Sequence, residues 1–274
     1  MKKVFIYLAV AVAIAACTPQ DHLTILHTND THSQVEPKNN GKGGYARRMG
    51  LIQEERKADR NLLLVDAGDF CQGTPYFNFY HGRVEIDAMN RMGYDAATLG
   101  NHEFDNGLDT LAAVLRMAHF PIVCANYDFT GTALEGMVKP YVILRKGGVK
   151  IGIFGLGCDP KGLIADKNFA PAQYMEPYSI SQVVADTLHA QGCDIVVCLS
   201  HMGTFGKAPE DVCDSTLATK TRGIDVIIGG HTHRLYDNLR VANIDGDTIP
   251  VCQMGKSGEN LGKIVLYLGD KIEK

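Results

Sequence analysis

Short apolar runs alternate with longer amphipathic stretches along this chain. Runs of strand length, rich in β-branched and aliphatic residues, fall at 23–27, 62–66, 96–99, 122–125, 195–199, 226–228, 248–252 and 261–268. Residues 141–144 and 150–154 flank Gly147-Gly148, a dipeptide suited to a tight hairpin. Helical spacing of apolar residues marks 45–57, 84–92, 108–117, 180–190 and 215–221. Strands separated by helices of this length pack as βαβ units around a sheet. The hairpin and the closing strands add antiparallel pairs, so a mixed α/β sandwich is expected rather than a purely parallel sheet.

Composition narrows the function classes. With 274 residues, 45% of them hydrophobic, the chain can bury one sizeable core. No repeat, proline-rich linker or charge run divides residues 17–274, which read as one domain. Lys plus Arg total 27 against 31 for Asp plus Glu, a net charge of −4. A dedicated nucleic-acid binder needs a basic stripe to neutralise phosphates, so no nucleic-acid partner is expected.

The first residues read as an address. Met1-Lys2-Lys3 precedes an apolar run over 4–16, shorter than the roughly 20 residues that span a bilayer, so it is an export signal rather than an anchor helix. Ala15-Ala16 before Cys17 resembles a bacterial lipoprotein processing box. That resemblance implies cleavage before Cys17, a lipid on its thiol, and a periplasmic or outer-membrane-attached location in the cell envelope. A plain secretory signal cut nearby is the alternative. Of the eight cysteines, the seven beyond Cys17 are widely spaced, mostly in apolar runs, and form no C-x-x-C; buried free thiols are expected, with one or two bridges left open.

The informative feature is where polar residues fall. Five apolar strands end abruptly in Asp, Asn or His: Leu26-His27-Thr28-Asn29-Asp30-Thr31-His32, Val65-Asp66-Ala67-Gly68-Asp69, Leu99-Gly100-Asn101-His102-Glu103-Phe104-Asp105, Leu199-Ser200-His201, and Ile228-Gly229-Gly230-His231-Thr232-His233. Ligands of α/β sheets bind just beyond the carboxyl ends of strands. Asp30, His32, Asp69, Asn101, His201, His231 and His233 offer carboxylate, imidazole and amide groups, a set that suits borderline divalent ions and not soft copper(I). Seven ligands exceed one tetrahedral ion and fit two ions with a bridging carboxylate, the arrangement that clamps an in-line phosphoryl displacement. Each motif alone is common, but their recurrence at five strand ends favours a metal site. In Gly100-Asn101, glycine is expected to allow a sharp turn; in Gly229-Gly230, to bring two imidazoles close.

In that order the motifs resemble the calcineurin-like metallophosphoesterases. The resemblance is to the catalytic domain of the 5′-nucleotidase, UDP-sugar hydrolase and 2′,3′-cyclic phosphodiesterase group. It is carried by Thr28–His32, DAGDFCQGTP (66–75), LGNHEFDNG (99–107), CLSHMG (198–203), GGHTH (229–233) and QMGKSGENLG (253–262), and runs from about residue 23 to 268. It implies a βαβ sandwich of two mixed sheets flanked by helices, a four-layer α/β/β/α fold. It also implies two divalent metal ions (Mn, Zn, Fe or Co). Asp30, His32, Asp69 and His233 would hold one, and Asp69, Asn101, His201 and His231 the other, with Asp69 bridging. His102, oriented by Asp105, would face the transferring phosphoryl group, Asn101 would serve metal and phosphate together, and a metal-activated water would attack in line.

The resemblance implies hydrolysis of a small phosphoester, nucleoside monophosphates foremost. Phosphodiester or pyrophosphate cleavage of cyclic nucleotides or UDP-sugars is the rival within the enzyme class, and a non-catalytic envelope binding subunit the rival outside it. The family's C-terminal substrate-specificity domain has no counterpart in these residues, so either a separate protein supplies that domain or the catalytic domain acts alone. Among other residues, Asn126 is a candidate site contact, Arg47 and Arg48 are expected to be solvated or paired, and Phe70, Tyr76, Phe77, Phe79 and Tyr80 form an aromatic cluster of core and rim.

Overall fold

The computed structural model describes residues 22–206, 208 and 211–269; the leader at 1–16 and Cys17 lie outside the described residues. Two six-stranded sheets form its centre. The first has the spatial order β14 (Gly262–Tyr267), β1 (His22–Thr28), β2 (Leu63–Asp66), β3 (Ala96–Ala97), β4 (Ile122–Val123) and β6 (Val138–Lys139). β14 is antiparallel to β1, and all other neighbours are parallel. The second runs β12 (Leu235–Ala242), β13 (Thr248–Met254), β11 (Val226–Ile228), β10 (Ile195–Ser200), β8 (Val149–Leu156) and β7 (Tyr141–Lys146), with antiparallel pairs at both edges. β5 (Tyr127–Asp128) and β9 (Gln173–Tyr174) make a separate two-stranded ladder.

Seven α-helices complete the described structure: α1 (Tyr45–Ala58), α2 (Pro75–Tyr80), α3 (Arg83–Met92), α4 (Gly107–Leu115), α5 (Asp166–Phe169), α6 (Pro177–Ala190) and α7 (Asp214–Lys220). Alternate side chains of each inner strand enter different cores. Ile25, Leu63 and Val65 of the first sheet meet Ile151, Ile153, Val197, Leu199, Val226 and Ile228 of the second. Leu26, Leu64 and Ala97 point the other way, against Ile52 of α1, Ile86 and Met89 of α3 and Leu111 of α4. Phe154, Val196, Cys198 and Ile227 pack against Val184, Ala185 and Leu188 of α6 and Leu217 of α7. The result is the expected sandwich of mixed sheets between helices. Burial on both faces explains why these strands read as unbroken apolar runs.

Several boundaries moved for local reasons. The hairpin turn forms as expected, with Gly147 at φ 56° and Gly148 at φ 90°. The helix expected from 180 starts at Pro177, because the Glu176 carboxylate accepts from the amides of Tyr178 and Ser179, both at 2.8 Å. The strand expected over 96–99 ends at Ala97, and the Thr98 hydroxyl turns to the Val123 carbonyl at 2.8 Å. β12 went unread. It is an edge strand with Asp237 and Asn238 exposed in its middle and a bulge between Tyr236 and Leu239, so it carries no apolar run.

The seven described cysteines are free and buried. Arg47 donates to the Gly41 carbonyl, but Arg48 is not a surface residue: it is 4% exposed, with its guanidinium over the Tyr45 ring. Phe70 and Phe77 are core residues, whereas Phe79 and Tyr80 are exposed.

Candidate metal centre

Strands β1, β2 and β3 run parallel in one sheet, and β10 and β11 in the other, and each is followed within a few residues by one of the motifs. The loops beyond these strands are tightly tied to one another. Amides of Asp30 and His32 donate to the carbonyls of Gly68 (2.9 Å) and Asp69 (3.0 Å), and the Ser257 amide reaches the Asp30 carbonyl at 2.7 Å. Asn29 fastens the segment before β14 from the other side. Its Oδ1 accepts from the Met254 amide (2.8 Å), and its Nδ2 donates to the Gly255 carbonyl (2.9 Å) and to Asp30 Oδ2 (2.6 Å).

These ties hold the backbone where it would not rest alone. Asp30 (φ 48°), His32 (46°), Asp69 (54°), His231 (74°) and His233 (57°) all occupy the left-handed region. Such conformations cost a non-glycine residue about 1–3 kcal/mol and gather where surrounding structure enforces a site. Five of the seven ligand candidates are strained in this way.

The side chains converge. Ligand atoms of Asp30, His32, Asp69 and His233 lie within 4.8 Å of one another. His32 Nε2 faces His233 Nε2 at 2.8 Å, and Asp30 Oδ1 lies 3.4 Å from His233 Nε2, 3.7 Å from His201 Nε2 and 3.9 Å from His32 Nε2. Asp69 Oδ2 is 3.0 Å from His201 Nε2, and His231 Nδ1 is 3.0 Å from Asn101 Oδ1. The site grades from closed to open: His201 and Asp30 are fully buried, and the His233 side chain is 36% exposed.

The donor set fits divalent cations. His201 Nδ1 lies 2.7 Å from the Ala67 carbonyl, which can only accept, so Nδ1 carries the ring hydrogen and Nε2 presents a lone pair to the centre. That buried Nε2 has no partner of hydrogen-bonding geometry among the described residues. Oxygen and imidazole lone pairs facing one another at this density call for positive charge between them. Burial alone would depress His201, but without a cation the Asp69 and Asp30 carboxylates outweigh it and hold a proton on His201 Nε2, with the pKa up to about 10; a cation bound there would displace that proton and take the lone pair. For His231 burial prevails, with His201 adding to it, and its pKa falls to about 4.

His102 stands over the cluster, its ring edge-on to His32 with centroids 5.4 Å apart. Its amide donates to Asp69 Oδ1 at 2.9 Å, and its Nδ1 lies 3.0 Å from Asp105 Oδ2. The Asp105 bond raises the His102 pKa against the opposing effect of burial. All nine residues singled out from the sequence for metal or phosphoryl roles thus sit around one centre. Gly100 differs in its reason: its φ is ordinary, and it is glycine because a Cβ would strike the Asp69 carboxylate. Gly230 likewise lies against the His201 ring, where a Cβ would come within 2.7 Å of Nδ1. Asn126 is not a site contact, since its amide is spent on both sides of the Gly157 peptide at 2.8 Å.

Three further polar side chains have a role here that the sequence does not assign, although Glu103 and Gln253 lie within its motifs. Glu103 is 3% exposed and accepts from the amides of Asp69 (2.9 Å), Cys71 (3.0 Å) and Gly100 (2.6 Å), clamping the Asp69 loop to the Asn101 loop. Asp214, fully buried, accepts from the Ser200 hydroxyl, while its amide reaches the Gly203 carbonyl at 2.8 Å and its other oxygen presses on Gly229. It braces both histidine loops. Gln253 is fully buried; it donates to the Gly230 carbonyl and accepts from Thr232 Oγ1 (2.7 Å) and the Arg234 amide (3.0 Å).

Comparison with known proteins agrees with this geometry. The family model for calcineurin-like phosphoesterases matches residues 23–235. A snake venom 5′-nucleotidase of Gloydius brevicauda is 36% identical over 289 aligned positions, covering 94% of this chain and 47% of the venom protein. The crystal structure of a 5′-nucleotidase precursor from Thermus thermophilus superposes with a TM-score of 0.80 at 34% identity, over 89% of this chain and 51% of the other. The calcineurin-like phosphoesterase YfkN of Bacillus subtilis gives a TM-score of 0.72 at 30% identity, over 91% of this chain and 92% of the other. The chain spans about half the length of the curated 5′-nucleotidases it matches.

Proposed function

Since the chain belongs to the calcineurin-like phosphoesterase family, we propose that it is a phosphoester hydrolase dependent on two divalent metal ions, acting on nucleoside monophosphates. The convergence of Asp30, His32, Asp69 and His233 within 4.8 Å carries this reading. These four residues would hold one ion, and Asp69, Asn101, His201 and His231 the second, with Asp69 common to both sets. Oxygen and imidazole donors without thiolate suit Mn, Zn, Fe or Co. Two such ions in place supply Lewis acidity for a phosphoryl oxygen and for an attacking water.

The chain's own residues do the rest. Asp69 keeps the two halves in register, because one carboxylate oxygen meets His201 and the other meets the His102 amide. Asn101 lies beside His231 and presents its amide to the same space, where it serves a phosphate oxygen as well. His102, with Nδ1 held by Asp105, donates from Nε2 to the phosphoryl or leaving-group oxygen as negative charge develops there. His233 and His32, at the open side of the cluster, border the approach of the substrate.

The nucleotide assignment is supported by the names of the relatives, which are 5′-nucleotidases. Residues 1–17 support export to the cell envelope and a lipid on Cys17. A separate protein carrying the specificity domain is the partner to look for if the purified chain proves slow. The test is phosphate release from AMP by the Mn²⁺-loaded chain. Turnover of roughly 1–10³ s⁻¹, lost on chelation, is expected. No turnover from chain shown to hold two metals would overturn the reading of this chain as a self-sufficient nucleotidase.

A further inference from the structure

We propose that Arg48 is a positioning residue of the metal centre, acting through Gly258 and Ser257 on the loop that carries Asp30. The inference rests on the two-metal reading and adds to it a residue outside the ligand set that governs how tightly one ion is held, the ion assigned to Asp30, His32, Asp69 and His233.

Among the described residues Arg48 is the only buried lysine or arginine. Its Nε and Nη2 have no hydrogen-bond partner among those residues, and its Cζ stands 5.2 Å from the centre of the Tyr45 ring. Taking a cation out of water is costly, and an apolar side chain of similar volume is often as stable or more so. Stability therefore gives no reason for a guanidinium at this place.

Its surroundings give one. The guanidinium rests on Gly258, where a Cβ would overlap Nη2 and lie 2.9 Å from Cζ. Gly43, just before α1, meets the neighbouring residue in the same way: its Cβ would come within 2.7 Å of the Ser257 carbonyl oxygen. The start of α1 is thus wedged against Ser257 and Gly258. Ser257 is held at φ 58°, a left-handed conformation that is costly for a non-glycine residue, and its amide donates to the Asp30 carbonyl at 2.7 Å. Asp30 is itself left-handed at φ 48°, so one strained residue is tied to another. On the other flank, burial raises the Tyr94 pKa and the Arg48 cation opposes it. The Tyr94 hydroxyl lies 2.7 Å from Thr28 Oγ1, two residues before Asp30. Arg48 therefore bears on the Asp30 segment from both sides, and withdrawing its guanidinium frees Gly258 and Ser257 to shift the Asp30 carbonyl they hold.

The test is calorimetric titration of Mn²⁺ into the metal-free chain, beside its thermal midpoint. Arg48→Met keeps most of the volume but withdraws the guanidinium from Gly258. One Mn²⁺ step should weaken about tenfold, while the midpoint of the metal-free chain stays level with the parent or rises. An unchanged titration would overturn the proposal, whatever the midpoint does. A lower midpoint with both Mn²⁺ steps weakened alike would make Arg48 a brace of the whole fold and overturn it as well. Gly258→Ala pushes a methyl group onto the guanidinium; it should weaken the same step in the parent and cost less in the Arg48→Met background. An equal cost in both backgrounds would refute the route through Gly258. If Arg48→Met does not fold, Arg48→Lys, which keeps the charge but loses the planar fork, enters the same cycle with the same expectation. A parent that takes up no Mn²⁺ would refute the two-metal reading itself, and this inference with it.

Discussion

The Asp69 carboxylate meets His201 on one oxygen and the His102 amide on the other, at 3.0 and 2.9 Å, on a backbone held at φ 54°. Asparagine tolerates that conformation, so Asp69→Asn keeps the fold while removing the charge shared between two cations. It should abolish activity and reduce bound metal below two per chain, measured by elemental analysis; full occupancy would refute the bridge. His102 touches no ligand atom of the four-residue cluster except through its amide, so His102→Ala should leave metal content near normal and lower turnover by roughly 10²–10⁴. His27 bears on stability rather than chemistry. Both its nitrogens are buried without hydrogen-bond partners among the described residues, and burial pushes its pKa from 6.5 to about 4. The fold accepts only the neutral ring, so its contribution is level above pH 6.5 and is lost as pH falls from 6.5 towards 4. Between pH 7.5 and 4.5 the loss from this one group is roughly 2–3 kcal/mol. His27→Leu should shrink the drop in denaturant stability by about that amount, and an equal drop in both proteins would contradict the assignment.

Elements place these side chains, and one short turn shows how. The 3-10 turn His102–Phe104 buries Glu103 so that three amides from two loops share its carboxylate. Glu103→Leu would orphan all three, each at about 1–3 kcal/mol. Thermal melts should show severe destabilisation, with Glu103→Gln losing markedly less; equal melting points would remove the clamp from the account. The sequence exposes the ligands but not their supports, for a physical reason. Parallel strands buried on both faces write continuous apolar runs, and the residues at their carboxyl ends stand out as the first polar groups after each run. That is why Asp30, Asp69, Asn101, His201 and His231 were legible. Glu103, Asp214, Gln253 and Asn29 act through contacts with backbone groups brought close only by folding; Asn29 and Met254 are 225 positions apart. No local period encodes such pairs. β12 was illegible for the opposite reason, being exposed along an edge where nothing demands an apolar run. The two-residue strands β5, β6 and β9 are too short to show alternation.

At the scale of the molecule, three apolar cores surround two sheets without drawing on the metal centre, which lies beyond the strand ends. Folding and metal binding are therefore separable. Chelation should leave the far-ultraviolet circular dichroism spectrum unchanged while lowering the thermal midpoint, because cations that bind only the folded chain stabilise it by mass action. Loss of the spectrum on chelation would show that the centre is needed to fold. The separation also frees the strand-end loops to keep strained ligand residues, since the cores stabilise what the loops cost. The central claim is that two cations, sharing Asp69, together make this chain a phosphoesterase. It is tested most directly by adding Mn²⁺ stepwise to the chelated chain and following phosphate release from AMP. The account predicts activity that rises to a plateau at two equivalents per chain; a plateau at one equivalent, or turnover undiminished in excess chelator, would contradict it.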